Sequence, residues 1–458
     1  MPKLSVIRPR LFAISWPIYA EQLLLAIVGL IFVTVTSRIS DATAAAFGLS
    51  NQLFGFFLFL FRVVGIGASV VVTQYLGAGD RESAARIARA SLAAASWLGL
   101  ALAVLVASSA DALLSLLKLP EELRPEAKPY LMILSLVLLI DSLNTTLASV
   151  LRAYTFTRDT LNQMLVVHAL SLILGLPLIF GWLGLPRLGL IGIGIAFLLA
   201  RLAGLILSLW LWRRHLGIRP RWRDWWWISP KPLVEMMRIG LPGAGENVAY
   251  RTAFTWNLSF IATMGTTALA THTYLLQISQ FVALSAAAIG FGAEIVVGHL
   301  VGAGALHAAN RLVRRALVWG FAAAILSASL AALEGPRLMR LFTSDPEIIR
   351  SGCTVLWLFI ALETGRVFNM VVINSLRGTG DVRFPVVFGA FSMFGAEVGL
   401  AWLLGIQMGW GLLGAWIGMA ADEWIRAIAM YLRWILHAWV PFARQTRRRL
   451  LCRSSTAA

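Results

Sequence analysis

Eight carboxylates, Glu21, Asp141, Glu246, Glu294, Glu363, Glu397, Asp422 and Glu423, sit in stretches of sequence otherwise apolar enough to cross a bilayer. Arg62, Arg201, Arg251, Arg366 and Arg426, with His168, His272 and His299, share such surroundings. An ionised side chain at the bilayer centre costs roughly 2.5 to 3.5 kcal/mol on insertion scales, so it is retained where it faces protein or a wet cavity. The chemistry open to these groups is binding of an inorganic cation or proton, contact with a charged substrate, or mutual neutralisation. Glu246 follows Pro242 by four residues and Glu21 follows Pro17 by four, so each stands one turn past a residue that disturbs the helix ladder. These two glutamates and Asp141 are the candidates for holding a coupling ion. An arginine partner is the alternative role for each glutamate.

Glu363 and Arg366 are three apart, Asp422 and Arg426 four, and Glu423 and Arg426 three. Such spacings put partners on one helix face and predict structural ion pairs. Gln52 and Gln277 offer neutral hydrogen bonds, and Tyr250, Trp256 and Phe57 offer aromatic faces to a flat cation. With Arg251 and Glu294, these residues are the expected lining of a substrate cavity. No H-E-x-x-H, G-x-S-x-G or Walker sequence occurs, so an intramembrane enzyme or an ATP-driven pump has no motif to rest on. Cys353 and Cys452 lie far apart, without metal-ligand spacing, and imply neither a disulfide framework nor a zinc site. No cofactor is expected beyond Na+ or H+ as coupling ion.

The elements that position these residues follow from composition. Of 458 residues, 59% are hydrophobic and 13% charged, and the mean hydropathy is +0.78, so the bilayer is the solvent. The net charge of +17 is spread between apolar stretches and not gathered on a soluble domain, which argues against nucleic acid. Twelve segments reach spanning length: 11–37, 46–76, 88–110, 131–151, 164–183, 188–212, 239–264, 268–301, 312–333, 355–376, 385–404 and 409–437. The first has the basic start of a signal peptide but is long and interrupted by Pro17 and Glu21, and is read as a retained helix. Lysines and arginines concentrate at the N-terminus, the even-to-odd connections and the tail, which predicts both termini in the cytoplasm, in the plasma (bacterial inner) membrane.

Sliding the sequence by 225 residues pairs Pro17 with Pro242, Glu21 with Glu246, Gln52 with Gln277, Arg152 with Arg377 and Arg201 with Arg426. It also lays Gly77-Ala78-Gly79 on Gly302-Ala303-Gly304. Rare residue types at one constant offset mark a duplication. Residues 1–212 and 232–440 are therefore two six-helix lobes in an all-α fold, related by a pseudo-twofold axis along the membrane normal. Residues 213–231, with five arginines and Trp225-Trp226-Trp227, read as a cytoplasmic linker at the lipid interface, and 441–458 as a basic tail among anionic headgroups. Asp141 and Arg366 hold matching positions with opposite signs and are expected to face each other across the bundle interface.

At these residues the chain resembles the multidrug and toxic compound extrusion (MATE) family of cation-coupled efflux transporters. The resemblance rests on Gly77-Ala78-Gly79-Asp80, on Gly240-Leu241-Pro242 with Glu246-Asn247, and on Leu376-Arg377-Gly378-Thr379-Gly380-Asp381. It implies export of amphipathic, often cationic, compounds by a monomer in contact with membrane lipids. One departure is evident. The family's aspartate in the first helix has no counterpart in Leu30-Ile31-Phe32-Val33-Thr34-Val35, and Glu21 is the remaining acid there. A lipid-linked saccharide flippase of related fold is the alternative within transport.

Overall fold

A computed structural model describes residues 11–116, 121–184 and 186–456. The first ten residues, assigned to the first lobe, and the last two, assigned to the tail, lie outside them. Among the described residues twelve long helices account for the predicted spans: α1 (Leu11–Ser37), α2 (Asp41–Gly77), α3 (Arg81–Ser108), α4 (Arg124–Ala153), α5 (Thr157–Phe180) and α6 (Gly189–Leu211), then α7 (Pro230–Thr263), α8 (Thr266–Gly302), α9 (Leu306–Leu333), α10 (Pro346–Thr379), α11 (Arg383–Gln407) and α12 (Gly411–Ile435). Ten of them are long and apolar enough to cross a membrane. The polar residues of α7 and the Asp422, Glu423 and Arg426 group of α12 set those two apart. No strand occurs among the described residues.

The duplication extends to details that the hydropathy pattern does not carry. A short helix, Ala110–Leu116, follows α3, and another, Gly335–Arg340, follows α9, their first residues 225 apart. Helix α4 packs on α3 and α6, and α10 packs on α9 and α12, so the fourth helix of each repeat is its hub. Both prolines are accommodated without interrupting the helices that contain them.

The described residues form two compact units. One comprises Ala20–Val72 and Arg81–Leu241, and its core joins Phe32, Phe47, Phe61, Tyr130, Leu134 and Ile193. The linker belongs here: Trp97 Nε1 donates to the Trp226 carbonyl at 2.9 Å, while Trp222 and Trp227 remain exposed. The other unit comprises the chain up to Tyr19, Thr73–Asp80 and everything from Pro242 onward. The boundaries cut α1 and α7 beside their repeated prolines. In this second unit the tail helix α13 (Val440–Thr456) docks through Trp439, whose ring stacks on Trp434 at 4.4 Å between centroids. The expected basic tail is thus held to protein along one side, with Ala443 and Leu450 buried.

Within the second unit the ends of α2 and α8 meet reciprocally. A β-carbon on Gly77 would strike the His299 carbonyl, and one on Gly302 would strike that of Gln74; the four positions exchange under the 225-residue offset.

Each fourth helix ends in a left-handed residue with a six-to-one closure: Phe156 N to Leu151 O at 2.9 Å after Thr155, and Asp381 N to Leu376 O at 3.1 Å after Gly380. Gly380 adopts φ 93° without a β-carbon; Thr155, its repeat mate, adopts φ 68° despite β-branching. Thr155→Gly removes that clash at the cost of some chain entropy, and is expected to stabilise the protein by about 1 kcal/mol. A rise of the melting temperature in detergent checks this, and an unchanged or lower value refutes it.

Candidate functional site

The repeated glutamates meet the repeated arginines. Glu21, 2% exposed on α1, accepts from Arg152 Nη2 at 2.8 Å and from the Thr160 hydroxyl. Glu246 on α7 accepts from Arg377 Nη2, whose other terminal nitrogen donates to Asn374 Oδ1 at 3.0 Å. Both pairs span 131 residues of sequence. Each arginine lies in the last turn of its helix, α4 or α10, where the helix dipole favours a cation. Neutralisation of an arginine, the alternative role for both glutamates, is therefore present in the geometry. Glu294 is buried on α8, inside the helix bundle and not on an open face.

One layer further along the same helices the two units diverge. In the first, Arg201 Nε donates to both oxygens of Asp141 at 3.1 and 3.2 Å, and Asn144 Nδ2 binds the Arg201 carbonyl at 3.0 Å. Charge is balanced there. In the second unit the equivalent positions are both arginines, Arg366 and Arg426, and Glu423 lies between them at 3.3 Å from each. Asn369, the repeat mate of Asn144, donates to Glu423 at 2.8 Å. Glu363 binds Arg366 at 2.6 Å, and Asp422 binds Arg426 at 2.5 Å while accepting from Ser392 at 2.6 Å. All three ion pairs predicted from spacing form, and Arg366–Glu423 joins them into one network. Asp141 and Arg366, expected to face each other across the bundle interface, are each engaged by charges of their own unit.

Glu397, on the α11 stretch that packs against α12, had no assigned partner in the sequence. It is 2% exposed, on a π-helical stretch of α11, Met393–Val398, which rotates it out of the ordinary helical register. Its hydrogen bond is a long one, from Asn257 Nδ2 at 3.5 Å. Three buried oxygens here, Glu363 Oε2, Asn369 Oδ1 and Asn257 Oδ1, have no hydrogen-bond donor in the structure. The spacing rule that found the other pairs could not find Glu397, which stands on a different helix from both arginines.

The expected cavity residues separate. Tyr250, Arg251 and Trp256 stand on the exposed side of α7, the two aromatics 39% and 55% exposed, and Gln277 is exposed on α8. Gln52 is exposed on α2 in the other unit, where Phe57 packs into the core.

These features define a multi-pass membrane transporter made of a duplicated unit. The MatE family's sequence model matches residues 17–180 and 242–403, two stretches beginning 225 residues apart, and the chain belongs to that family. It is 33% identical over 430 residues to "Uncharacterized transporter YisQ" of Bacillus subtilis, covering 94% of each chain. It is 26% identical over 455 residues to "Probable multidrug resistance protein NorM" of Thermotoga maritima, covering 98% of this chain and 97% of that one. Among solved structures, "Crystal structure of MATE in the bent conformation" superposes with a TM-score of 0.87 at 20% identity, over 97% of this chain and 99% of that one. A Pyrococcus furiosus MOP superfamily transporter, described as having a binding pocket of reverse polarity, gives a TM-score of 0.85 at 20% identity, over 95% of this chain and 98% of that one.

Arg152 is partly solvated and Glu21 is not, so breaking the pair is expected to be asymmetric. Arg152→Gln leaves a buried carboxylate without its cation and is expected to cost about 3 kcal/mol; Glu21→Gln costs less, and the double variant recovers most of the loss. Unfolding titrations of the three variants check this order. A double variant as unstable as Arg152→Gln contradicts it.

Proposed function

We propose that the chain is a cation-coupled antiporter that exports amphipathic, often cationic, compounds from the cytoplasm, with its coupling ion taken up in the acid-rich network of the second unit. The observation that carries this reading is a charge imbalance. Glu363, Glu397, Asp422 and Glu423 face two guanidiniums, Arg366 and Arg426, so full ionisation leaves two negative charges in excess inside a spanning bundle. The penalty for a buried charge without a partner is several kcal/mol, so the excess acids take up protons or hold a monovalent cation. Glu397 and Asp422, on the adjoining α11 and α12, are the pair for this role: Glu397 has an amide where the other acids have arginines.

Glu21, Glu246 and Asp141, by contrast, are matched by Arg152, Arg377 and Arg201, and their part in this scheme is to hold helices together. Occupancy of the Glu397–Asp422 pair drives transport to the extent that it binds the ion more tightly in one conformation than in the other. The relatives named for multidrug resistance support the class of cargo, and the exposed aromatics of α7 offer it stacking surfaces. The basic connections on the side of both termini support a cytoplasmic placement of the termini and an inner-membrane location.

Glu397→Gln tests the reading. In cells expressing the full chain, uphill extrusion of a fluorescent cationic drug is expected to fall at least roughly tenfold under both imposed sodium and imposed proton gradients, with the amount of folded protein unchanged. Extrusion at the parental rate removes Glu397 from coupling. The gradient that drives the parent identifies the ion.

A further inference from the structure

The surface of the second unit carries a groove that the charge network does not use. It has a volume of about 790 Å³ and lies among α9, α10 and α12. Leu317 is buried at its floor, and Val318 and Leu326 stand exposed on its rim. Its wall is fixed in place by aromatic contacts: Phe368 meets Phe321 edge-on at 5.7 Å between centroids and Tyr431 edge-on at 5.9 Å. The strongly polar groups gather at one end. Arg314 lies near the start of α9 and Tyr431 near the end of α12, and Trp434 Nε1 donates to Asn310 Oδ1 at 3.0 Å, tying those two helix ends together. Ser329 marks the far end, fifteen residues from Arg314 and so roughly 22 Å along the helix.

We propose that this groove binds an anionic phospholipid, with an acyl chain along Leu317, Phe321 and Leu326 and the phosphate at Arg314. Three features of the groove select that ligand. It opens on an exposed face of a spanning helix, where the solvent is hydrocarbon. Its length exceeds the roughly 15 Å of one leaflet's hydrocarbon, so a chain fits lengthwise. Its polar end is cationic: α9 carries Arg311, Arg314 and Arg315 and not one acid, which attracts a phosphate and repels the cationic amphiphiles proposed as cargo. The Tyr431 hydroxyl at the same end can donate to a phosphate oxygen.

Occupancy braces the neighbouring network. Phe368 precedes Asn369, which holds Glu423, and stacks at 6.1 Å on Trp424, which follows Glu423. A chain seated against Phe368 therefore holds α10 and α12 together beside the charges.

The full chain in neutral detergent, titrated with phosphatidylglycerol or phosphatidylcholine, tests the proposal by native mass spectrometry and thermal melting. Phosphatidylglycerol is expected to stay bound and to raise the melting temperature, and phosphatidylcholine to do neither. Arg314→Ala is expected to weaken phosphatidylglycerol binding about fivefold, the effect of losing one surface arginine. Ala322→Trp, which fills the groove from an exposed position, is expected to abolish it; both variants keep the parental melting temperature without lipid. Equal binding of the two lipids, undiminished phosphatidylglycerol binding in both variants, or its displacement by a cationic amphiphile overturns the assignment.

Discussion

A carboxylate within a membrane-spanning bundle stays charged only beside a cation, and the arrangement of this chain follows from where those cations stand. Arg152 and Arg377 close the fourth helix of each repeat, where unpaired carbonyls already favour positive charge, and each reaches back to a glutamate one turn past a proline on the first. The pair therefore joins the first helix of a repeat to its central one. Because α4 and α10 also carry the next layer of charges, the registry set by these glutamates fixes where Asp141, Arg366 and their partners come to lie.

From that shared frame the two repeats have taken different routes. The first keeps a neutral couple, Asp141 with Arg201. The second has arginines at both positions and answers with acids from α10, α11 and α12 in greater number than the arginines require. A balanced couple has little reason to change its protonation, whereas an unbalanced cluster exchanges ions readily. The functional asymmetry proposed for the two units is thus a matter of charge count on a common scaffold, and the π-helical turn of α11 supplies the extra acid.

Ten of the helices were legible in the sequence because apolar length is a local property, and the duplication, which calls for α7 and α12 as well, was legible because rare residues kept one spacing. Ion pairs three or four residues apart were legible for the same reason. The pairing of Glu21 with Arg152 was not, although both stood in the repeat: helix periodicity relates neighbours on one helix, and says nothing about which helices touch. The left-handed turn at Thr155 was hidden by its residue type, since threonine gives no sign of the conformation that Gly380 announces in the other copy. The cavity residues were chosen by chemistry, and chemistry alone does not fix burial: Tyr250 and Trp256 stand exposed on α7, whereas Glu294 is sunk among helices.

The reciprocal crossing of α2 and α8 bears on how such a gene can age. Gly77 lies against the main chain at His299, and Gly302 against that at Gln74, so the smallest side chain gained at either site displaces the backbone of the other copy. Main chain has no substitution by which to yield. At this point the two halves are held to a joint inheritance, in which neither can drift without its twin.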